Sequence, residues 1–470
     1  MNTMLSQTLS FVLNMLSTSV MARLIVPESF GLVAMVTAFT GFVLIFKDLG
    51  LTSAVVQRSV ISQKQISTLF WLNLGISLAI SLIIAATGPF LVSFYNEPRL
   101  FHITLALAGT VFLTGSVLQH GALMKRQMRF KRISAIHVAA TATSITVGIV
   151  MALLNFDYWA VIGITAAYSV SYTAMLWLLC DWRPSFYFQF DRVKNMVRFG
   201  AGVTGFDIVN YFSRNADNML IGRYFGSAAL GLYSKSYQLL MLPITQLRDP
   251  LNTVAFPALS SLKNQYVKYR EFYARYNFIL AFFSMPLVMF LVVFSKEVVL
   301  LVLGAQWLEA SRIFQLLAVT SLIQPVAGTK GVVMITMGQT KRYFAWGGIN
   351  AVATVCAFLI GMNWGVDGMV IAYALVNYTI LVPSLFFCFK GTPISVSLFF
   401  RELALPFVLS LVSGLACLAI RESFSELAPL ALLIVGLLVG GACYLVPWSF
   451  TSYSRNKFKQ ILAIRQFMGK

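Results

Sequence analysis

Apolar runs of roughly 20 residues, enough to cross ~30 Å of hydrocarbon as helix, recur along nearly the whole chain. The pattern predicts an all-α integral membrane protein with about fourteen transmembrane helices. The first six are expected over Met4–Ile25, Phe30–Ala54, Leu69–Val92, Ile103–Met124, Ser134–Leu154 and Trp159–Cys180. The next six cover Val197–Ile221, Leu230–Leu259, Phe272–Phe294, Ile313–Thr336, Phe344–Met362 and Gly368–Phe389. Leu398–Ile420 and Leu427–Phe450 complete the set. The pattern also repeats: Ala22, Arg23, Phe30, Gly31 and Leu32 stand roughly 200 residues before Gly222, Arg223, Leu230, Gly231 and Leu232. So long a period implies two lobes, not a solenoid. Helices one to six (residues 1–180) form an N-lobe and helices seven to twelve (197–390) a C-lobe, joined by a cytoplasmic linker (181–196). Helices thirteen and fourteen with a basic tail (391–470) have no counterpart in the first half.

Composition agrees, since 58% apolar and 11% charged residues would leave a soluble fold covered in apolar patches. The net charge of +19 does not indicate nucleic acid, because the basic residues gather in alternate loops. Arg58 and Lys64, the run Lys125 to Arg132, and Arg183, Arg192, Lys194 and Arg198 all follow even-numbered helices, as do later groups. The opposite loops hold Arg23, Arg99, Arg223, Lys296, Arg312 and Arg421. By the positive-inside rule both termini are cytoplasmic. Five cysteines without paired spacing and three scattered histidines (His102, His120, His137) indicate neither a disulfide framework nor a metal site. Nothing basic precedes the first apolar run, which contains Asn14, so no cleavable signal peptide is expected. The outward loops are too short to fold into a domain.

Candidate chemistry lies within the spans. At ~100° per residue, Asp207, Tyr211, Arg214 and Asn218 share one face of helix seven, flanked by Asn210 and Asp217. The equivalent face of helix one carries Gln7, Phe11, Asn14 and Thr18, an uncharged version. Two such stripes facing each other would line a wet cleft. A charge at mid-bilayer costs about 2.5–3.5 kcal/mol on insertion scales, so each needs a cavity, a partner or a function. Arg214 and Asp217, three apart, either pair to dock the lobes or serve the cleft. A second pair recurs near the 200-residue register, Lys47 with Asp48 and Arg248 with Asp249. Adjacent residues point about 100° apart, so one member of each can face the cleft while another helix holds its neighbour.

Helix eight carries Pro243, Pro250 and Pro257, which predict curvature or a hinge. In helix ten the run from Gln324 to Gly331, including Pro325, Gly328 and Lys330, weakens the middle of a span and puts a lysine there. It serves either packing or contact with solute or ion. Asn73, Asn350, Asn377, Tyr373 and Tyr378 either bind hydroxyls or join helices.

Four blocks carry a resemblance: Met21–Met35 (MARLIVPESFGLVAM), Asp48–Arg58 (DLGLTSAVVQR), Ser213–Pro243 (SRNADNMLIGRYFGSAALGLYSKSYQLLMLP) and Pro250–Leu262 (PLNTVAFPALSSL). The chain resembles the polysaccharide exporters of the multidrug/oligosaccharidyl-lipid/polysaccharide (MOP) superfamily. It is most similar to the Wzx-type branch that includes the colanic acid and teichuronic acid exporters. The resemblance implies a V-shaped fold of two six-helix lobes plus two helices. It also implies a flippase that moves an undecaprenyl-pyrophosphate oligosaccharide across the bacterial inner membrane by alternating access. The related lipid II flippase holds pyrophosphate with cavity arginines; by location, Arg214, Arg248, Lys47 and Lys330 would be the matching cations here. Such proteins take no cofactor, are often coupled to an ion, and feed polysaccharide polymerase machinery. One departure is the short polar start, where relatives tend to carry a longer basic lead.

These readings assign Arg214, Arg248, Lys47, Lys330, Asn14, Asn210, Tyr211 and Asn218 to the pyrophosphate and sugars. Asp207, Asp217, Asp48 and Asp249 are candidates for a coupling proton or sodium. Cation-coupled multidrug efflux would call for a net acidic, aromatic cavity, and a membrane glycosyltransferase or polymerase for catalytic carboxylates and substantial outer loops. A transporter, not an enzyme, is therefore expected.

Overall fold

The computed structural model describes residues 3–44, 46, 52, 55, 56, 61–189, 194–450, 455 and 457, with backbone alone at 3–8, 10, 194–210 and 212–214. Among the described residues every regular element is helical. In order they are α1 (Thr3–Leu24), α2 (Pro27–Leu44), α3 (Gln63–Tyr95), α4 (Leu100–Gly115), α5 (Leu118–Arg126), α6 (Phe130–Leu153) and α7 (Tyr158–Leu179). Next come α8 (Lys194–Leu262), α9 (Tyr266–Val293), α10 (Ser295–Val302), α11 (Ala310–Ser321), α12 (Gln324–Ala327) and α13 (Thr329–Thr336). The last are α14 (Thr340–Gly361), α15 (Gly365–Phe389), α16 (Val396–Ser423) and α17 (Pro429–Leu445).

Among the described residues, nine helical stretches are long and apolar enough to span a membrane, and a bent pair, Ala310–Ser321 with Gln324–Thr336, makes a tenth. The stretch Thr340–Phe389 among them contains both α14 and α15. The expected helices one, seven and eight are not among these spans. Of helix one, the described stretch Phe11–Leu24 is a shorter apolar helix. Helices seven and eight are continuous in α8, broken at Gly226 (φ 83°, ψ 179°), a left-handed conformation that glycine adopts without a Cβ penalty. Pro243, Pro250 and Pro257 lie inside its second arm without leaving helical geometry.

The chain forms two compact units, residues 1–231 and 232–470. In the first, Ser62 starts α3 with a capping box: its Oγ accepts the Gln65 N–H at 3.3 Å, and Gln65 Oε1 accepts the Ser62 N–H at 3.0 Å. Such a cap contributes about 1 kcal/mol. Small residues let the helices approach, as association in lipid requires. Gly148 of α6 faces Ile164 of α7, and Gly115 of α4 faces Ser77 of α3. The tightest approach is reciprocal: a Cβ on Gly31 would lie 1.7 Å from the Ser227 carbonyl oxygen, and one on Gly231 1.9 Å from that of Pro27.

In the second unit α9 packs along α16, while α14 and α15 meet at Gly361 and Gly368. Phe278, Phe282, Leu409, Tyr444 and Trp448 form a buried cluster joining α9, α16 and the end of α17. The Arg421 Nε donates to Glu297 Oε1 at 2.9 Å, tying α16 to α10.

Several arginines of the expected outer loops have local acidic partners. Arg99 bonds Glu28 at 2.6 Å and Glu97 at 2.7 Å, and Arg312 lies 2.7 Å from Asp367. The Arg99 hydrogen bonds hold the Glu97 carboxyl below its ordinary value. A carboxylate lowered in the folded state contributes stability above its unfolded pKa, lost as pH falls through the folded value. Arg99→Ala is therefore expected to lower Tm near neutrality and to converge with the wild type as pH falls, which flattens the acid limb of the curve of Tm against pH. A thermal-unfolding series in detergent checks this.

Candidate functional site

The polar stripe of helix seven lies on the first arm of α8, in the first unit. The side chains of Asp207, Asn210 and Arg214, and all of Lys47 and Asp48, fall outside the described residues. Their assignments stay as the sequence states them. Of the rest of the stripe, the Tyr211 hydroxyl reaches the backbone of α2, donating toward the carbonyls of Thr37 at 2.8 Å and Ala38 at 3.0 Å. Gly41 permits this, because a Cβ there would sit 2.3 Å from that hydroxyl. The single phenolic proton is thus engaged with main-chain carbonyls, and the hydroxyl oxygen can still accept.

One turn and a half further on, Asp217 is buried and accepts the Asn218 backbone N–H at 2.8 Å. The Asn218 side-chain oxygen is buried without a hydrogen-bond partner in the protein. Asn14, on the matching position of α1, is exposed on its unit.

In the second unit, Arg248 Nε donates to Asp249 Oδ1 at 3.1 Å. The long arginine side chain folds back over the angle between adjacent positions, and Asp249 remains 61% exposed. Nearby, Tyr276 donates to Asn252.

The helix is interrupted within the expected run at Gly328, between α12, only four residues long, and α13, and the larger bend of 42° falls just before the run, between Ser321 of α11 and Gln324. Polar side chains cluster around it. Tyr273 and Thr329 share a hydrogen bond of 2.9 Å, Thr329 reaches Asn277 at 3.2 Å, and Gln324 donates to Tyr373 at 2.9 Å. Lys330, half-buried, donates from Nζ to Ser384 Oγ at 2.8 Å and lies 5.2 Å from the Trp346 ring centroid. Among the described residues no carboxylate lies within ion-pair distance of Lys330. A hydroxyl and an aromatic face stabilise an ammonium without neutralising it. The arrangement can therefore still accept an anionic oxygen.

Sequence reasoning found Lys330 and Thr329 but missed Ser384, Trp346, Tyr273 and Asn277, which come from three separate helices and follow no common period. It also passed over Lys235, whose Nζ donates to Gln238 at 3.0 Å on the second arm of α8. Tyr378 joins helices, donating from α15 to the Val319 carbonyl of α11 at 2.6 Å, whereas Asn377 donates within its own helix to the Tyr373 carbonyl at 2.8 Å. Among the described residues no group of three or more His, Cys, Asp or Glu could hold a metal.

A family model described as "Polysaccharide biosynthesis protein" matches residues 20–312. The chain belongs to this family. Over 415 residues it is 25% identical to the teichuronic acid biosynthesis protein TuaB of Bacillus subtilis (strain 168), covering 86% of this chain and 85% of that protein. It is 27% identical over 413 residues to the lipopolysaccharide biosynthesis protein WzxC of Escherichia coli (strain K12), covering 85% of this chain and 82% of that one. The fold matches a solved structure titled lipid II flippase MurJ, inward closed conformation, with a TM-score of 0.76 at 14% identity over 98% of this chain and 99% of that one. This member of the polysaccharide biosynthesis family thus shares the fold of that structure, and its described helices include nine or ten stretches long and apolar enough to cross a membrane.

Proposed function

We propose that the protein is a flippase that carries a lipid-linked oligosaccharide from the cytoplasmic to the outer leaflet of the bacterial inner membrane, for exopolysaccharide, capsule or O-antigen-type synthesis. The lipid carrier in this reading is undecaprenyl pyrophosphate, and the product passes to polymerase machinery. Fourteen spans in two repeated six-helix lobes plus two helices, with both termini cytoplasmic, would act by alternating access. The reciprocal Gly31/Ser227 and Gly231/Pro27 approach supports the repeat, because both members of each contact are displaced by 200 residues from those of the other.

The observation that carries the reading is Lys330, a cation beside a break in a membrane span with a hydroxyl and an indole as neighbours and, among the described residues, no carboxylate within ion-pair distance. Sugar hydroxyls and a pyrophosphate each lose several kcal/mol if stripped of partners in hydrocarbon. A polar path with uncompensated positive charge supplies those partners, while the polyprenyl tail stays in lipid. Arg214 is the main phosphate contact, supported by Arg248, Lys47 and Lys330; Asn14, Asn210, Tyr211 and Asn218 face the sugars. Asp207 or Asp217 carries a coupling proton or sodium, with Asp48 and Asp249 the further candidates. Family membership and similarity to TuaB and WzxC support the substrate class.

Arg214→Ala is expected to abolish polysaccharide export in cells while leaving the amount of membrane-inserted protein unchanged. Wild-type export by that variant would remove Arg214 from the site.

A further inference from the structure

Among the described residues of the first unit, one group of seven neighbouring side-chain polar atoms is buried without a hydrogen-bond partner in the protein: both amide atoms of Asn73 and of Gln119, both ring nitrogens of His120, and Ser77 Oγ. None of the four residues is more than 1% exposed. The helix register brings them together. α3 runs antiparallel to α4 and α5, with Ser77 against Gly115, the Phe70 ring 6.1 Å from that of His120, and Ile66 and Leu69 packed with Ala122 and Leu123. Asn73 lies one turn from both Phe70 and Ser77, on the same face. It therefore lies opposite the segment 116–119. That segment is the break between α4 and α5, and the start of α5 has no side-chain cap.

The chemistry of these groups selects what fills the site. Two amides, an imidazole and a hydroxyl present donors and acceptors in comparable number, and an uncapped helix start adds N–H donors. A bare cation would satisfy the acceptors alone and an anion the donors alone. Water satisfies both. Arg183, whose guanidinium carbon lies 5.8 Å from the Trp177 ring that packs 4.5 Å from His120, further disfavours a cation. Unmet, seven such penalties would together rival the net stability of a folded domain.

We propose that Asn73, Ser77, Gln119 and His120 hold an internal water cluster at the break in this membrane helix. The waters replace the backbone and side-chain bonds that the break leaves open, as non-helical backbone at membrane depth requires. Phe70, Trp177 and Trp182 enclose the imidazole side, with ring centroids 4.5–6.1 Å from that of His120. The inference is independent of what the protein transports.

X-ray radiolytic footprinting of the purified full chain tests it, because hydroxyl radicals form in place from bound water and oxidise adjacent side chains even when bulk solvent is excluded. Normalised to intrinsic reactivity, His120 is expected to be modified at least tenfold faster than Phe314, which is equally buried. The double variant Asn73→Leu/Gln119→Leu should lose most of that labelling. Should the double variant not fold, Ser77→Ala gives the milder decrease. Modification of wild-type His120 no faster than that of Phe314 would show a dry site and overturn the proposal.

Discussion

Gly31→Ala is expected to destabilise the protein by about 3 kcal/mol or more, at the upper end of overpacking effects, and to abolish export. The added methyl would lie 1.7 Å from the Ser227 carbonyl oxygen and 2.6 Å from its carbon, both backbone atoms that no rotamer change can move. Helix α2 and the start of the second arm of α8 must separate, and the partner contact of Gly231 on Pro27 opens with them. Gly75→Ala is the matched control, because nothing lies within 4 Å of its added methyl. Helical Gly→Ala is then worth about 0.5–1 kcal/mol in the stabilising direction. Thermal unfolding of both variants in detergent, with export assayed in cells, checks the pair. Equal behaviour of the two would mean that the close approach does not form in the membrane.

Lys330→Met should separate stability from transport. The substitution removes one charge-assisted hydrogen bond to Ser384, a loss of about 1.5–3 kcal/mol, and also removes a partly desolvated charge that, among the described residues, has no carboxylate to neutralise it. The two effects oppose, so unfolding should shift by less than about 1 kcal/mol. Transport should fall much further. A hydrogen bond to a charged group contributes about 1.5–3 kcal/mol, roughly a 10- to 150-fold loss if it is made to the moving anionic group. Lys330→Arg keeps the charge and should retain part of the activity. A fall in activity matched by a fall in folded protein would instead assign Lys330 to packing.

The sequence carried the membrane character of the fold because hydropathy is a property of each run by itself. It carried the break before Lys330 because Pro325 and Gly328 act locally on their own helix. The break at Gly226 was not located, since glycine is common in spans and its positive φ depends on what surrounds it. Periodicity put Tyr211 on a polar face but could not show that Gly41, 170 positions earlier, opens α2 to its hydroxyl. Helical geometry alone likewise separated Arg248 from Asp249, whereas a flexible side chain brought them into contact. His120 stood alone in the sequence and drew no weight. Asn73 stood out in the sequence as a hydroxyl-binding or helix-joining residue, but its place beside Gln119 and His120 shows only when α3 is set beside α5.

The central claim is tested most directly by reconstituting the purified protein in vesicles with a defined undecaprenyl-pyrophosphate oligosaccharide. Leaflet exchange would be measured with and without imposed proton and sodium gradients. The account predicts protein-dependent flipping that one of the gradients accelerates and that Arg214→Ala and Lys330→Met both suppress. Exchange no faster than in protein-free vesicles under every gradient, from protein shown to be folded, would contradict it.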